Sequence, residues 1–198
     1  MKKLVVIFVL LITIKVSAQD TTDVFVSTYK ILLENLQNEN WKMADSLTDI
    51  LLAKVDKAES TNLYNEVLYY ISIFSNAGLM NQQIITKEQA LNKVKKYVGC
   101  RLILPAHLFS SNTSLNCTKI DDINQNTLFS SVSNLNGTQI FSFEYVKMKD
   151  SLDESKLKQL EGKYVKMRGI LKAITVEGSM LPRFKMYFED GEMKLMEE

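Results

Sequence analysis

From residue 21 to residue 98 apolar side chains recur every three or four positions, the period of one face of a helix. Phe25, Tyr29, Leu32 and Leu36 predict a first helix over about 22–37, with Lys30, Glu34 and Gln37 on its other faces. Asn38-Glu39-Asn40 ends it. A second helix starts near Trp41 and buries Trp41, Ala44, Leu47, Leu51 and Val55, leaving Lys42, Asp45, Asp49 and Lys54 in water. The third, over 62–78, carries two apolar stripes, Leu63, Val67, Tyr70, Phe74 and Ala77 beside Tyr64, Leu68, Ile71 and Leu79, so it packs on two sides. Gly78 is placed to cap its C-terminus. Thr86 and Gln89 have the spacing of a capping box for a fourth helix, 87–97, that turns Ala90, Leu91, Val94 and Tyr97 inward.

Beyond residue 99 the period becomes two, the signature of strands with one buried side. Phe141, Phe143 and Tyr145 alternate with Ser142 and Glu144; Val165, Met167 and Leu171 with Lys166, Arg168 and Lys172; Phe184, Met186 and Phe188 with Lys185 and Tyr187. In each case the apolar set is expected to face the core. Shorter strands are expected over 101–108, 114–120, 127–133 and 193–196, with turns at Ser110-Ser111-Asn112, Asn124-Gln125-Asn126, Asn134 to Gly137 and Asp190-Gly191. Ser151 and Glu154 fit a capping box for a short helix, 152–160, ahead of the longest strand. The fold class is therefore α+β: a helical region, 19–98, then a β-rich region, 99–198, built as a small antiparallel barrel or as a twisted sheet with one short helix.

Two resemblances attach to these patterns. The stretch from Asn40 to Gly78, with Trp41, Ala44, a Leu-rich first helix and an aromatic second helix, resembles a tetratricopeptide-type helical hairpin, although no Leu-Gly follows Trp41 and no Pro closes the unit. An irregular four-helix unit is the alternative. The segment from Leu160 to Leu171, in which Gly162-Lys163-Tyr164-Val165 leads to Gly169 on the inward side, resembles the opening strand of bacterial OB-type domains, and Tyr97 to Leu104 repeats it more faintly. This resemblance implies a strongly curved barrel of five to seven strands.

The N-terminus changes the picture of where the protein works. Met1-Lys2-Lys3, the apolar run Leu4 to Ile14 and the small-residue pattern Val16-Ser17-Ala18 form a secretory signal cleaved after Ala18, and the run is too short to span a bilayer. The junction resembles those of exported Bacteroidota proteins, which implies a periplasmic or secreted product. Lys2, Lys3 and Lys15 account for three of the 24 basic side chains, so the remaining chain carries 21 against 23 acidic ones, a net charge of −2. With no cysteine near the cleavage site, no lipid anchor is expected.

Composition limits the chemistry. The single histidine, His107, stands beside Pro105 without a nucleophile motif, so a His-based catalytic site is not expected. Cys100, His107 and Cys117 match no zinc frame, and no glycine-rich phosphate loop occurs; no cofactor or metal is expected. An oxidising compartment would permit a disulfide, and a hairpin of 100–108 with 111–119 would set Cys100 opposite Cys117, a bond adding about 3 kcal/mol in the chain-entropy model. Two buried thiols are the alternative.

Lys166, Arg168 and Lys185, with Tyr164 and Tyr187 between them and Lys172 and Arg183 nearby, form the expected ligand-binding face on two neighbouring strands. Export and negative charge disfavour nucleic acid and point to a protein, peptide or glycan partner in the cell envelope. The expectation is thus a binding or assembly module without catalytic residues. The alternative is a hydrolase acting on carbohydrate through a carboxylate pair such as Asp121 with Asp122, Asp153 with Glu154, or Glu189 with Asp190.

Overall fold

A computed structural model of the chain describes residues 19–55, 62–111 and 115–196; residues 1–18, expected above to be a secretory signal, lie outside them. Four helices come first: α1 Gln19–Gln37, α2 Trp41–Val55, α3 Asn62–Asn81 and α4 Lys87–Val94, the last followed by a 3-10 turn, Lys95–Tyr97. The Thr86/Gln89 capping box forms with both of its reciprocal bonds. Gly78, in contrast, is no cap. It lies within α3 against the Trp41 indole, where a Cβ would collide with the ring, so glycine here lets α2 and α3 approach closely.

Trp41, Phe74 and Phe141 form a triangle of edge-on and tilted rings with centroids 5.1–5.4 Å apart, joining α2, α3 and the sheet. On the other side of the helical region Asp45 of α2 accepts from Asn76 of α3, 2.8 Å away, and from the Lys93 ammonium of α4. Lys93 reaches Asp49 as well, so its charge is paired, and the partners hold its pKa above the ordinary value although burial opposes them.

The β region comprises β1 Arg101–Ile103, β2 His107–Phe109, β3 Cys117–Asp122, β4 Thr127–Ser133, β5 Ile140–Met148, α5 Glu154–Leu160, β6 Tyr164–Glu177 and β7 Arg183–Leu195. They form one seven-stranded sheet in the order β1-β6-β2-β3-β4-β5-β7, with β6 also paired to β7. The sheet is mixed rather than antiparallel: β2 with β3 and β5 with β7 run parallel. α3 packs on β1, β5 and β7, and a single apolar cluster runs from Leu32 to Phe188 through both regions.

Several local expectations are corrected. The strand expected over 101–108 is split, because Pro105 has no N–H to offer; its two pieces, β1 and β2, lie along the same strand, β6. The hairpin of 100–108 with 111–119 is consequently absent. Leu108 stands beside Cys117 in a parallel pair, while Cys100 accepts from Leu171 N at 2.9 Å, seven β6 residues from Leu108's partner Tyr164, or roughly 23 Å at the rise of a strand. Cysteines bridge only when their Cα atoms lie within about 7 Å, so Cys100 and Cys117 remain thiols. Asp190-Gly191 does not end a strand either. β7 continues through it to Leu195, with Asp190 at φ 50° and a bulge in the pairing, and Gly191 fits where a Cβ would lie 2.6 Å from Val146 Cγ1. Finally, α5 is capped by Asp153, which accepts from Lys156 N at 2.8 Å, two residues later than Ser151.

Candidate functional site

The largest departure from the hydrophobic pattern is on β5, and it builds the site. Between Val132/Ser142 and Ser133/Ile140 the β4–β5 register slips, leaving Phe141 as the extra residue of a bulge. Phe141 and Ser142 are both buried as a result. A bulge shifts the alternation by one residue, so from there on Ser142, Glu144 and Val146 face inward while Phe143 and Tyr145 face outward.

The outward rings meet neighbours on both adjoining strands. Phe129 of β4 lies 5.6 Å from Phe143 and 5.2 Å from Tyr145 between centroids, and Tyr145 stacks on Tyr187 of β7 at 5.1 Å and 19°. These four rings make a continuous ladder; Phe129, Phe143 and Tyr145 are half-buried, and Tyr187 is 40% exposed. A cation stands over each ring: Lys119 over Phe129 at 5.6 Å, Arg183 over Phe143 at 4.8 Å, and Lys185 over Tyr145 and Tyr187 at 5.3 and 5.5 Å. A hydrogen bond to Tyr187, and the nearby phenols, hold the Lys185 pKa above its ordinary value. Arg183 is also tied to Glu177, 3.2 Å away.

Of the residues expected to bind ligand, the structure brings Tyr187 and Lys185 together in this ladder. Tyr164, Lys166 and Arg168 lie at the opposite end of the β6–β7 ribbon, where Lys166 is registered with Lys194, whereas Lys185 is registered with Thr175. There Arg168 donates to Glu192 at 2.6–2.8 Å and Arg101 binds the same carboxylate at 3.2 Å, a closed set of charges in which the Arg168 hydrogen bond holds the Glu192 pKa low. Lys172 is paired with Glu189 at 3.1 Å. Phe129, Phe143, Tyr145 and Lys119 were not legible as site residues; the one available sign was the polar pair Ser142 and Glu144 on the opposite side of an aromatic strand.

Lys119 also lines a cleft of about 660 Å³ between β3 and α5, floored by Phe109, Ile120 and Leu157 and edged by Lys158 and Glu161. Glu161 is held by the Ser111 N–H and hydroxyl at 3.3 Å.

On the inner side, Glu144 is fully buried. Tyr70 of α3 donates to its Oε1 at 2.6 Å and Ser142 at 3.0 Å, while Oε2 has no hydrogen-bond partner among the described residues. Burial, against which the two hydrogen bonds work only partly, pushes its pKa up to about 7. Sealed beneath α3, this carboxyl cannot touch a solvent-borne substrate. The carboxylate pairs singled out by sequence have structural partners: Asp122 accepts from Asn124 N and Gln125 N, Asp153 caps α5, and Glu189 meets Lys172. His107 is 5% exposed, and burial lowers its pKa to about 4 despite a bond to the Asn116 backbone.

Among the described residues no group of three or more His, Cys, Asp or Glu is placed to hold a metal, and no helix is long and apolar enough to cross a membrane. Comparison of the chain with protein-family models, curated proteins and solved structures finds no match.

Proposed function

We propose that this chain is an exported, non-catalytic binding module of the bacterial cell envelope, periplasmic or secreted, taking a protein, peptide or glycan partner on the outward face of β4, β5 and β7. One observation carries the reading: four partly exposed rings touch in a continuous ladder with a cation over each. Turning aromatic side chains outward forgoes about 25 cal/mol for each Å² left in water, so such a surface is retained where a ligand covers it. Phenyl rings, phenols and permanent cations attract and orient a ligand but transfer no proton near neutral pH, which favours capture over catalysis. The α2–α3 hairpin, tetratricopeptide-like in its Trp41, Ala44 and Gly78, serves in this reading as the buttress that holds β5 from behind.

The β region is, in this proposal, a small closed OB-like barrel. The pairings β6-β2-β3-β4-β5-β7 lead back to β6, and Gly169 sits where a Cβ would lie 3.1 Å from Glu189 O, the close approach that a sharply bent strand requires.

Array binding tests the function. The full-length chain, purified after secretion, is applied to glycan and peptide arrays beside the variant Tyr145→Ala/Tyr187→Ala and the variant Lys166→Glu. Signals that fall about tenfold or more in the first variant and persist in the second support the reading. Signals indifferent to the ladder and lost in Lys166→Glu would place recognition at the other end of the ribbon. The N-terminal sequence of the secreted chain should begin at Gln19.

A further inference from the structure

Resting on the binding-face reading above, we infer that the ligand is an acidic oligosaccharide of the hexuronate type, lying along the ladder with one end in the cleft beside α5. Three features of the surface select this chemistry. First, successive ring centroids are 5.1–5.6 Å apart, about one pyranose unit, and adjacent planes are tilted by 49° and 57° at Phe129. The rings at Phe129 therefore offer separate tilted patches to the C–H faces of successive sugars, while Tyr145 and Tyr187, nearly parallel at 19°, continue the track as one stacked pair.

Second, the cations stand at the rings themselves. Lys119 and Lys185 have no ion pair among the described residues, and each sits within 5.6 Å of a ring centroid, so a unit stacked on that ring brings a carboxylate on its edge within reach of an ammonium. Third, acids flank the same ladder. Asp121 and Glu177 lie close enough for their charges to act on Tyr145, and Glu177 is bound to Arg183. Carboxylates accept hydrogen bonds from sugar hydroxyls, of which each hexuronate unit offers several and a deoxynucleotide strand almost none. A mixed-charge rim around aromatic rungs thus fits a hydroxyl-rich acidic chain better than nucleic acid.

The cleft extends the track. Lys119 stands over Phe129 and also lines the cleft, where Lys158 provides a second cation above the apolar floor of Phe109, Ile120 and Leu157. Its volume of about 660 Å³ lies in the range of small-ligand pockets and holds a terminal sugar with its carboxylate between Lys119 and Lys158.

The test uses the full-length chain and four probes: tetragalacturonate, tetramannuronate, the methyl ester of tetragalacturonate and a thymidine oligonucleotide. Calorimetry gives affinity, and NMR reports which residues shift. The expected result is that at least one uronate tetramer binds, shifts Phe129, Tyr145, Tyr187 and Lys119, and weakens about tenfold or more on methyl esterification, in Lys119→Glu and in Tyr187→Ala. Unchanged melting temperatures confirm that the variants fold. Equal binding of the methyl ester overturns the role of charge, and preferred binding of the oligonucleotide overturns the carbohydrate; in both cases shifts on the ladder leave the binding-face reading standing. No binding of either uronate overturns this inference alone, and the array experiment then decides separately whether the ladder binds another ligand.

Discussion

The two sides of β5 are loaded in opposite ways to a strand at the edge of a core. Its inner side, pressed on α3, carries Ser142 and Glu144 beside Phe141 and Val146; its outer side carries Phe143 and Tyr145 toward water. The neighbouring strand β7 keeps the ordinary order, with Phe184, Met186 and Phe188 inside and Lys185 and Tyr187 outside, in register with β5. β7 builds its share of the core without any such inversion, so the inner side of the sheet does not require outward aromatics on β5. The inner polar groups of β5 are tolerated because Tyr70 and the strand's own Ser142 satisfy one carboxyl oxygen of Glu144; on β3 and β4 the buried hydroxyls of Thr118 and Ser130, 2.7 Å apart, satisfy each other.

Four measurements test the contrast between β5 and β7. The largest effect belongs to the inner apolar member of the bulge: Phe141→Ala should lower unfolding free energy by about 4 kcal/mol in denaturant titration, since it empties the space against Trp41 and Phe74. Phe143→Ala, on the outer side, should cost about 1 kcal/mol or less. Equal losses would show that the outer rings are core after all.

Next is the inner carboxyl. The folded-state pKa of Glu144 is raised from 4.5 to about 7, so the native chain binds more protons than the unfolded one in that window, and stability falls as pH rises through it, by up to about 3 kcal/mol. His107 works oppositely: lowered from 6.5 to about 4, it makes stability rise between those values by a similar amount. The two contributions nearly cancel between pH 4.5 and 6.5. Glu144→Gln should uncover the rise due to His107, seen as a melting temperature that climbs from pH 4 to 6.5 where the unsubstituted chain stays nearly flat.

The third effect is on binding alone. Removing Tyr145 and Tyr187 together should weaken ligand binding by about 2 kcal/mol while the folded chain melts within a few degrees of the original. The smallest concerns the far end of the ribbon. Arg168→Ala separates β6 from Glu192 and should cost about 0.5 kcal/mol of stability, lessened by salt and without effect on ligand affinity, because that ion pair is surface-exposed.

Much of the architecture could be read in advance. Helices α2 and α4 began where Trp41 and the Thr86 capping box placed them, and the long strands β6 and β7 buried the alternating set that their sequence displayed. What failed did so at points where one residue changes a phase or a partner: the Phe141 bulge, the Pro105 interruption, the glycine of α3 that makes room for Trp41. The candidate site shared this fate. Tyr187 and Lys185 were visible on β7, but Phe143 and Tyr145 of β5 face outward through the slipped register, and Phe129 and Lys119 join them only through the pairing of β3, β4 and β5.

The change from helical to strand period near residue 99, the α+β class, the main helix starts and the amphipathic sides of β6 and β7 follow from residue order alone, because they depend on intervals of two and of three to four residues within one segment. That the sheet is mixed, that Cys100 and Cys117 lie far apart, and that Glu144 goes in while Tyr145 goes out depends on contacts between distant segments. Alternation tells which residues share a side of a strand; which of the two sides meets the core is settled by a partner in contact, here α3, and by a bulge whose cost is offset only once that partner is in place.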